Sequence, residues 1–385
     1  MQVSDIVSFY KTSYNRPIAR PRAQLVMYEH ILLFSTTFMI TLLVINLMIP
    51  IAHKIGLLDK PAGRKQHVGA VPLIGGISVY CGVALTLSVF GLPHDTHWYY
   101  LLCGGTIVVL GVFDDFFDLS VKLRLVVQAI IACVMMYGLK LYVGDLGNLF
   151  GHGHLTLGYY IGIPFTVIAV IAAINAFNMI DGIDGLAGSL SAVTFISVTL
   201  MMSVGGQLDY AVLPMVLVFA LIPYLLFNLD LVGKGKGKIF MGDAGSMLIG
   251  LTVIWLLIIG TQSESASFRP VTALWIIAVP LMDMVAIMIR RIRKGQSPFM
   301  ADREHLHHIF LRLGLNSRQA LVAIATLASM LATIGVIGEY LMVPDGVMLL
   351  LFLAAFVVYS MTLQYIWRIT RFIKRYKAKH RAKHR

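Results

Sequence analysis

Apolar runs of about 20 residues, the length a helix needs to cross a bilayer, recur along this chain from residue 28 to residue 368. A soluble core cannot accommodate that many. The charge content agrees: 13% of the 385 residues are charged and 58% are hydrophobic, whereas charged residues alone make up about a quarter of a soluble domain. With no water in the hydrocarbon to satisfy backbone groups, the expected element throughout is the helix. The chain therefore reads as an all-α polytopic membrane protein. Spans are placed near 28–51, 73–91, 98–113, 124–143, 157–177, 187–204, 210–229, 244–261, 271–291, 319–340 and 346–368, eleven in all.

The domain reading is a polar arm over 1–24, a single transmembrane catalytic domain over 25–369 and a basic cytoplasmic tail over 370–385. The arm shows no signal-peptide cleavage pattern, so the first span is expected to be retained. The net charge of +12 raises the question of nucleic acid, but Lys and Arg fall at span ends and in the tail, as membrane orientation demands. One set of alternating loops holds Lys54, Lys60, Arg64 and Lys65, then Lys122 and Arg124, then Lys234, Lys236 and Lys238, then the basic residues from Arg290 to Arg318. The opposite loops hold Arg269, with Lys140 at one edge. The richer side, and the C-terminus with it, is expected to face the cytoplasm; the basic N-terminal arm violates the rule. Cys81, Cys103 and Cys133 all fall within expected spans and point to apolar filling rather than to disulfides or a metal.

Five polar clusters interrupt the apolar pattern, all on the expected cytoplasmic side. Lys65 and His67 precede Val71-Pro-Leu-Ile-Gly-Gly76; Asp114-Asp115 ends the third span, with Lys122 beyond; Asn175-Ala-Phe-Asn-Met-Ile-Asp-Gly-Ile-Asp-Gly-Leu186 ends the fifth. Asn228 ends the seventh, Phe240-Met-Gly-Asp-Ala-Gly-Ser246 opens the eighth, and His305-Leu-His-His308 follows the ninth. Adjacent carboxylates such as Asp114 and Asp115 repel each other at a membrane boundary, and a hard divalent cation sharing phosphate oxygens would relieve the conflict. One helical turn would bring Asp181 and Asp184, three apart, to the same face, and Gly182 and Gly185 permit close approach of a ligand. Asp243 on its own reads more readily as a helix N-cap than as a metal ligand. Leu306, Ile309, Phe310 and Leu313 at helical spacing predict a short amphipathic helix on the membrane surface, with His305, His308 and Arg312 on its other face. Phosphate handling fits those histidines better than zinc, which lacks a complete ligand set here. Asp283, inside the ninth span, reads as paired with a donor from a neighbouring helix.

In this order, the clusters resemble the polyprenyl-phosphate N-acetylhexosamine-1-phosphate transferases over nearly the whole chain from about residue 28. Within the family they look like the bacterial branch that places N-acetylglucosamine-1-phosphate from UDP-GlcNAc onto undecaprenyl phosphate and so starts O-antigen and related envelope glycans. His305-Leu-His-His308 and Val71-Pro-Leu-Ile-Gly-Gly76 depart from the pattern of the peptidoglycan-precursor enzymes. The resemblance implies Mg2+, with Mn2+ as a substitute, held by Asp243 assisted by Asp115. It implies Asn178 near the diphosphate, Asp114 and Asp115 by the acceptor phosphate, Asp181 and Asp184 facing the nucleotide, and Lys122 on phosphate. Arg303, His305, His307 and His308 would hold the diphosphate and sugar, with Asn228, Lys65 and His67 among the substrate-binding residues. Expected partners are UDP-GlcNAc, undecaprenyl phosphate and membrane lipids, without nucleic acid; a homodimer is compatible with the family. The expected location is the bacterial inner membrane. Direct attack by the lipid phosphate is favoured, and a covalent route through Asp114 or Asp115 stays open. A secondary transporter would place its carboxylates near the midplane, and a scaffold gives no reason to keep polar clusters on one side.

Overall fold

A computed structural model describes residues 20–59, 69–91, 96–232, 237–298 and 305–383. Helix α1 (Arg20–Ile55) leads into a two-stranded antiparallel hairpin, β1 (Leu58–Asp59) and β2 (Val71–Pro72), with Leu58 opposite Pro72. Then follow α2 (Gly75–Phe90), α3 (Thr96–Phe117), α4 (Val121–Leu139), α5 (Tyr159–Ile180), α6 (Leu186–Val204), α7 (Leu208–Asn228) and α8 (Gly242–Gln262). The chain continues through α9 (Pro270–Ile276), α10 (Ala278–Arg293), α11 (Leu306–Arg312), α12 (Ser317–Tyr340) and α13 (Asp345–Lys383).

Every expected span is helical. Among the described residues nine helices are long and apolar enough to cross a membrane, and the pair α9–α10, bent by 82°, makes a tenth. The remaining run, α2, is helical for 16 residues. The bend falls at Ile277, and Pro280 in the first turn of α10 lacks the N–H that would have continued one helix through the break. Outward faces carry apolar side chains such as Leu43, Val109, Ile130 and Ile168, more than half exposed, which suits contact with lipid tails.

Helix α8 is the centre of the bundle. Residues 244–260 are all buried, enclosed by α2, α3, α5 and α6. Small residues allow the approach: a Cβ on Gly76 or Gly111 would collide with the backbone of Ala244 or Gly245, and one on Gly250 with the backbone of α5. Next to this contact the segment before α8 joins the hairpin, because the Phe240 N–H donates to the Pro72 carbonyl at 2.8 Å and the Gly75 N–H to the Phe240 carbonyl at 2.9 Å.

One expectation needs correction. The short helix after the ninth span exists, but Leu306 and Ile309 are buried against Ile180, Leu186, Leu321 and Ile324 rather than resting on a membrane surface. Two residues of its apolar stripe are thus satisfied by protein and Phe310 is partly so, while Leu313 stays exposed.

Candidate active site

The first turn of α8 sets the geometry. Met241, at the N-cap position, makes no side-chain cap bond. The cap comes from another helix: Asp115, at the end of α3, accepts the Asp243 N–H on Oδ1 at 3.0 Å and the Ala244 N–H on Oδ2 at 3.5 Å. A carboxylate suits this place, where unpaired N–H groups leave the helix end positive. Gly242 has φ +69, and a Cβ there would stand 2.6 Å from Asp115 Oδ2, so the approach requires glycine. Asp243 is thereby released from capping. Its carboxylate meets the Asn178 side chain from the end of α5 and lies beside Asp114 and Arg124.

Asp114 is buried, with Oδ1 accepting the Leu119 N–H at 2.9 Å and Oδ2 accepting from Arg124 at 2.6 Å. Arg124, read from the sequence as an orientation signal, is therefore the cation that reaches the carboxylates. Its placement one turn into α4 beside Asp-Asp was the available clue. Lys122, two residues earlier, is exposed.

The loop from 181 to 186 sits beside this cluster. Burial pushes the Asp181 carboxyl up to about 7, and the charges of Asp243 and Asp184 add to the shift. Asp184 pairs with Lys238 at 2.7 Å, and the Lys238 ammonium also lies 5.2 Å from the Phe240 ring centroid. Buried Asn228 ties two segments together: its Oδ1 accepts the Gly185 N–H at 2.5 Å and its Nδ2 donates to the Ile239 carbonyl at 2.8 Å.

The histidines close the same face. The His307 ring lies on Gly182, where a Cβ would strike it, so that glycine makes room for a protein ring. His307 stacks parallel to His305 at 5.8 Å and lies 4.2 Å from His308. Its Nδ1 has no hydrogen-bond partner among the described residues, and burial with two imidazoles alongside lowers its pKa to about 3. Asp283 meets the expected neighbour: it accepts from Tyr359 of α13, and also from His305.

The structure thus brings together Asp114, Asp115, Asn178, Asp181 and Asp243, with Asp184, Asn228 and the three histidines on adjoining segments. Lys65, His67 and Arg303 lie outside the described residues. No three acidic, imidazole or thiol groups among the described residues form a ready-made metal site. The donors nevertheless suit Mg2+, which takes one or two carboxylates and completes its shell with water and phosphate oxygens. Asp115 and Asp243 offer hard oxygen at one point, with Arg124 as a cation already beside it.

Residues 97–261 match the family described as Glycosyl transferase family 4. The undecaprenyl-phosphate alpha-N-acetylglucosaminyl 1-phosphate transferase of Salmonella typhi is 51% identical over 343 residues, 88% of this chain and 92% of that protein. This chain belongs to that transferase family. Its likeness to members of the same name is 49% in Escherichia coli (strain K12), over 88% of this chain and 92% of that one, and 48% in Pasteurella multocida (strain Pm70), over 88% and 95%. The glycosyl transferase match runs from α3 to the end of α8 and takes in every carboxylate of the cluster; the histidine helix α11 lies beyond it.

Proposed function

We propose that this chain transfers N-acetylglucosamine-1-phosphate from UDP-GlcNAc to undecaprenyl phosphate, giving undecaprenyl-diphospho-GlcNAc and UMP. The step would open O-antigen or related envelope glycan synthesis at the cytoplasmic face of the bacterial inner membrane. The observation that carries the reading is the junction of Asp115, Asp243, Asp114 and Asn178 at one end of the buried helix α8. The names of the relatives support the lipid acceptor and the sugar phosphate. The basic loops on the same side support the orientation.

Phosphoryl transfer needs alignment and charge neutralisation more than covalent chemistry. An oxygen of the lipid phosphate forms a bond to the sugar-bearing phosphorus while the anhydride bond to UMP breaks, and UMP leaves with the electron pair. That oxygen is largely ionised at neutral pH, because a phosphate monoester has its second pKa near about 6. No base is then required. Both Asp114 oxygens are engaged, by the Leu119 N–H and by Arg124, which favours direct attack over an aspartyl-phosphate at that residue. Asp243 and Asp115 would hold Mg2+, or Mn2+ in its place, which when bound neutralises diphosphate charge. Asn178 orients Asp243, Arg124 offsets the carboxylate cluster, and His305 and His308 would donate to the diphosphate from the adjoining histidine segment.

The test is UMP release from UDP-GlcNAc by purified protein with Mg2+ and undecaprenyl phosphate, repeated with UDP-GalNAc as donor. Asp243→Asn should lower kcat about 100-fold or more, the scale of losing a principal electrostatic group. Failure of the native protein to release UMP would remove the proposed reaction. Undiminished turnover by folded Asp243→Asn would remove the metal assignment.

A further inference from the structure

Asp283 is 1% exposed in α10, just past the bend, where a carboxylate without partners would be costly. Its partners come from two other elements. Oδ2 is 2.7 Å from His305 Nδ1, while Oδ1 accepts the Leu306 N–H at 3.1 Å and the Tyr359 hydroxyl of α13 at 2.7 Å. Three donors are thus spent on one buried acid. Apolar side chains of similar volume would join α10, α11 and α13 at least as stably. The arrangement does one thing that apolar packing cannot.

We propose that Asp283, braced by the Tyr359 hydroxyl and the Leu306 N–H, is a positioning residue for the transfer reaction: it fixes the ring of His305 and directs its Nε2 to the phosphates. The inference rests on the function proposed above. Because a carboxylate can only accept, Nδ1 must carry the hydrogen, and Nε2 is the nitrogen left for a ligand. With a diphosphate oxygen at Nε2, which also can only accept, the ring between the two anions would donate from both nitrogens. Neighbouring His307 has no such partner at Nδ1 among the described residues, so the two stacked rings are not equivalent. Among the described residues, the titratable groups around His305 are Asp283 from α10, His307 and His308 from α11, and, across Asp283, Tyr359 from α13.

The experiment is a double-mutant cycle on UMP release, using full-length protein in detergent. Asp283→Asn should lower kcat/KM about 10- to 100-fold, as loss of a carboxylate behind a functional histidine does. The same change in a His305→Ala background should cost less than about threefold, because its target is gone. Tyr359→Phe, which keeps the carboxylate, should give a smaller loss through the same cycle. It carries the test by itself if Asp283→Asn does not fold. An equal penalty with and without His305 would overturn the positioning role. Native activity in His305→Ala would instead overturn the placement of His305 in the site.

Discussion

Replacing Gly76 by alanine probes the contact on which the site depends. A Cβ there would stand 2.7 Å from the Ala244 carbonyl carbon and nearer still to Gly245 N and Cα, all backbone atoms that no rotamer change can move. Ordinary contact begins at 3.4 Å and the nearest of these atoms, Gly245 N, would stand at 2.2 Å, so α2 and α8 must part locally by about 1.2 Å. Overpacking of this kind costs about 1–3 kcal/mol. The larger effect should be on catalysis, because the displaced atoms belong to the turn that carries Asp243, and misplacing a reacting group by about 1 Å can cost about 100-fold in rate. Gly76→Ala should therefore show a modestly lower unfolding midpoint in detergent and a loss of UMP release approaching two orders of magnitude. The control is Gly158→Ala, where a Cβ meets nothing within 4 Å. It should change neither quantity. A Gly76→Ala protein with native midpoint and native rate would refute the claim that close packing of these helices holds the site together.

Two further outcomes follow from the same neighbourhood. Asp181 has a folded pKa raised from 3.8 to about 7, so the unfolded chain loses its proton first and this group lowers stability as pH rises between those values, with no further change above. Ligand-free Asp181→Asn should be more stable than the native protein at pH 8, and the gap should close as the pH approaches 4, measured by thermal unfolding at each pH. Asn228→Ala leaves the Gly185 N–H and the Ile239 carbonyl without their partner, at about 1–3 kcal/mol for each buried group. The unfolding midpoint should fall accordingly, and Asn228→Asp, which keeps only the acceptor, should lie between the two; equal midpoints for all three would show that these bonds contribute nothing.

The helices were legible because lipid leaves the chain little choice: a long apolar run must satisfy its own backbone, and no periodicity has to be recognised. What escaped was long-range. Asp243 looks like an N-cap in its own segment, and only the arrival of Asp115, 128 residues earlier, shows that the cap is supplied from α3. Gly182 reads as room for a ligand until His307 is seen to occupy the space. The break at Ile277 is hidden in an unbroken apolar run, with Pro280 as its one local sign. Arg124 was visible but was assigned to topology, since charge at a span end serves orientation in most membrane proteins. Asp283 was read as paired with a neighbouring helix, which Tyr359 fulfils, but its second partner His305 could not be foreseen from spacing.

The composition of α8 explains why the polar groups gather where they do. After Asp243 the helix carries no ionisable side chain through Gln262, and its flanks are buried along nearly the whole length. Charge brought deeper would face only apolar neighbours and the helix's own satisfied backbone. At the first turn the situation reverses, because its N–H groups have no partner within the helix and are met by Asp115, and the small residues Gly242, Ala244, Gly245 and Ser246 let two other helix ends come close. The apolar body of α8 and the polar cluster at its tip are thus two consequences of one sequence, and a charge introduced along the body, as in Gly250→Asp, should prevent folding rather than create a second site.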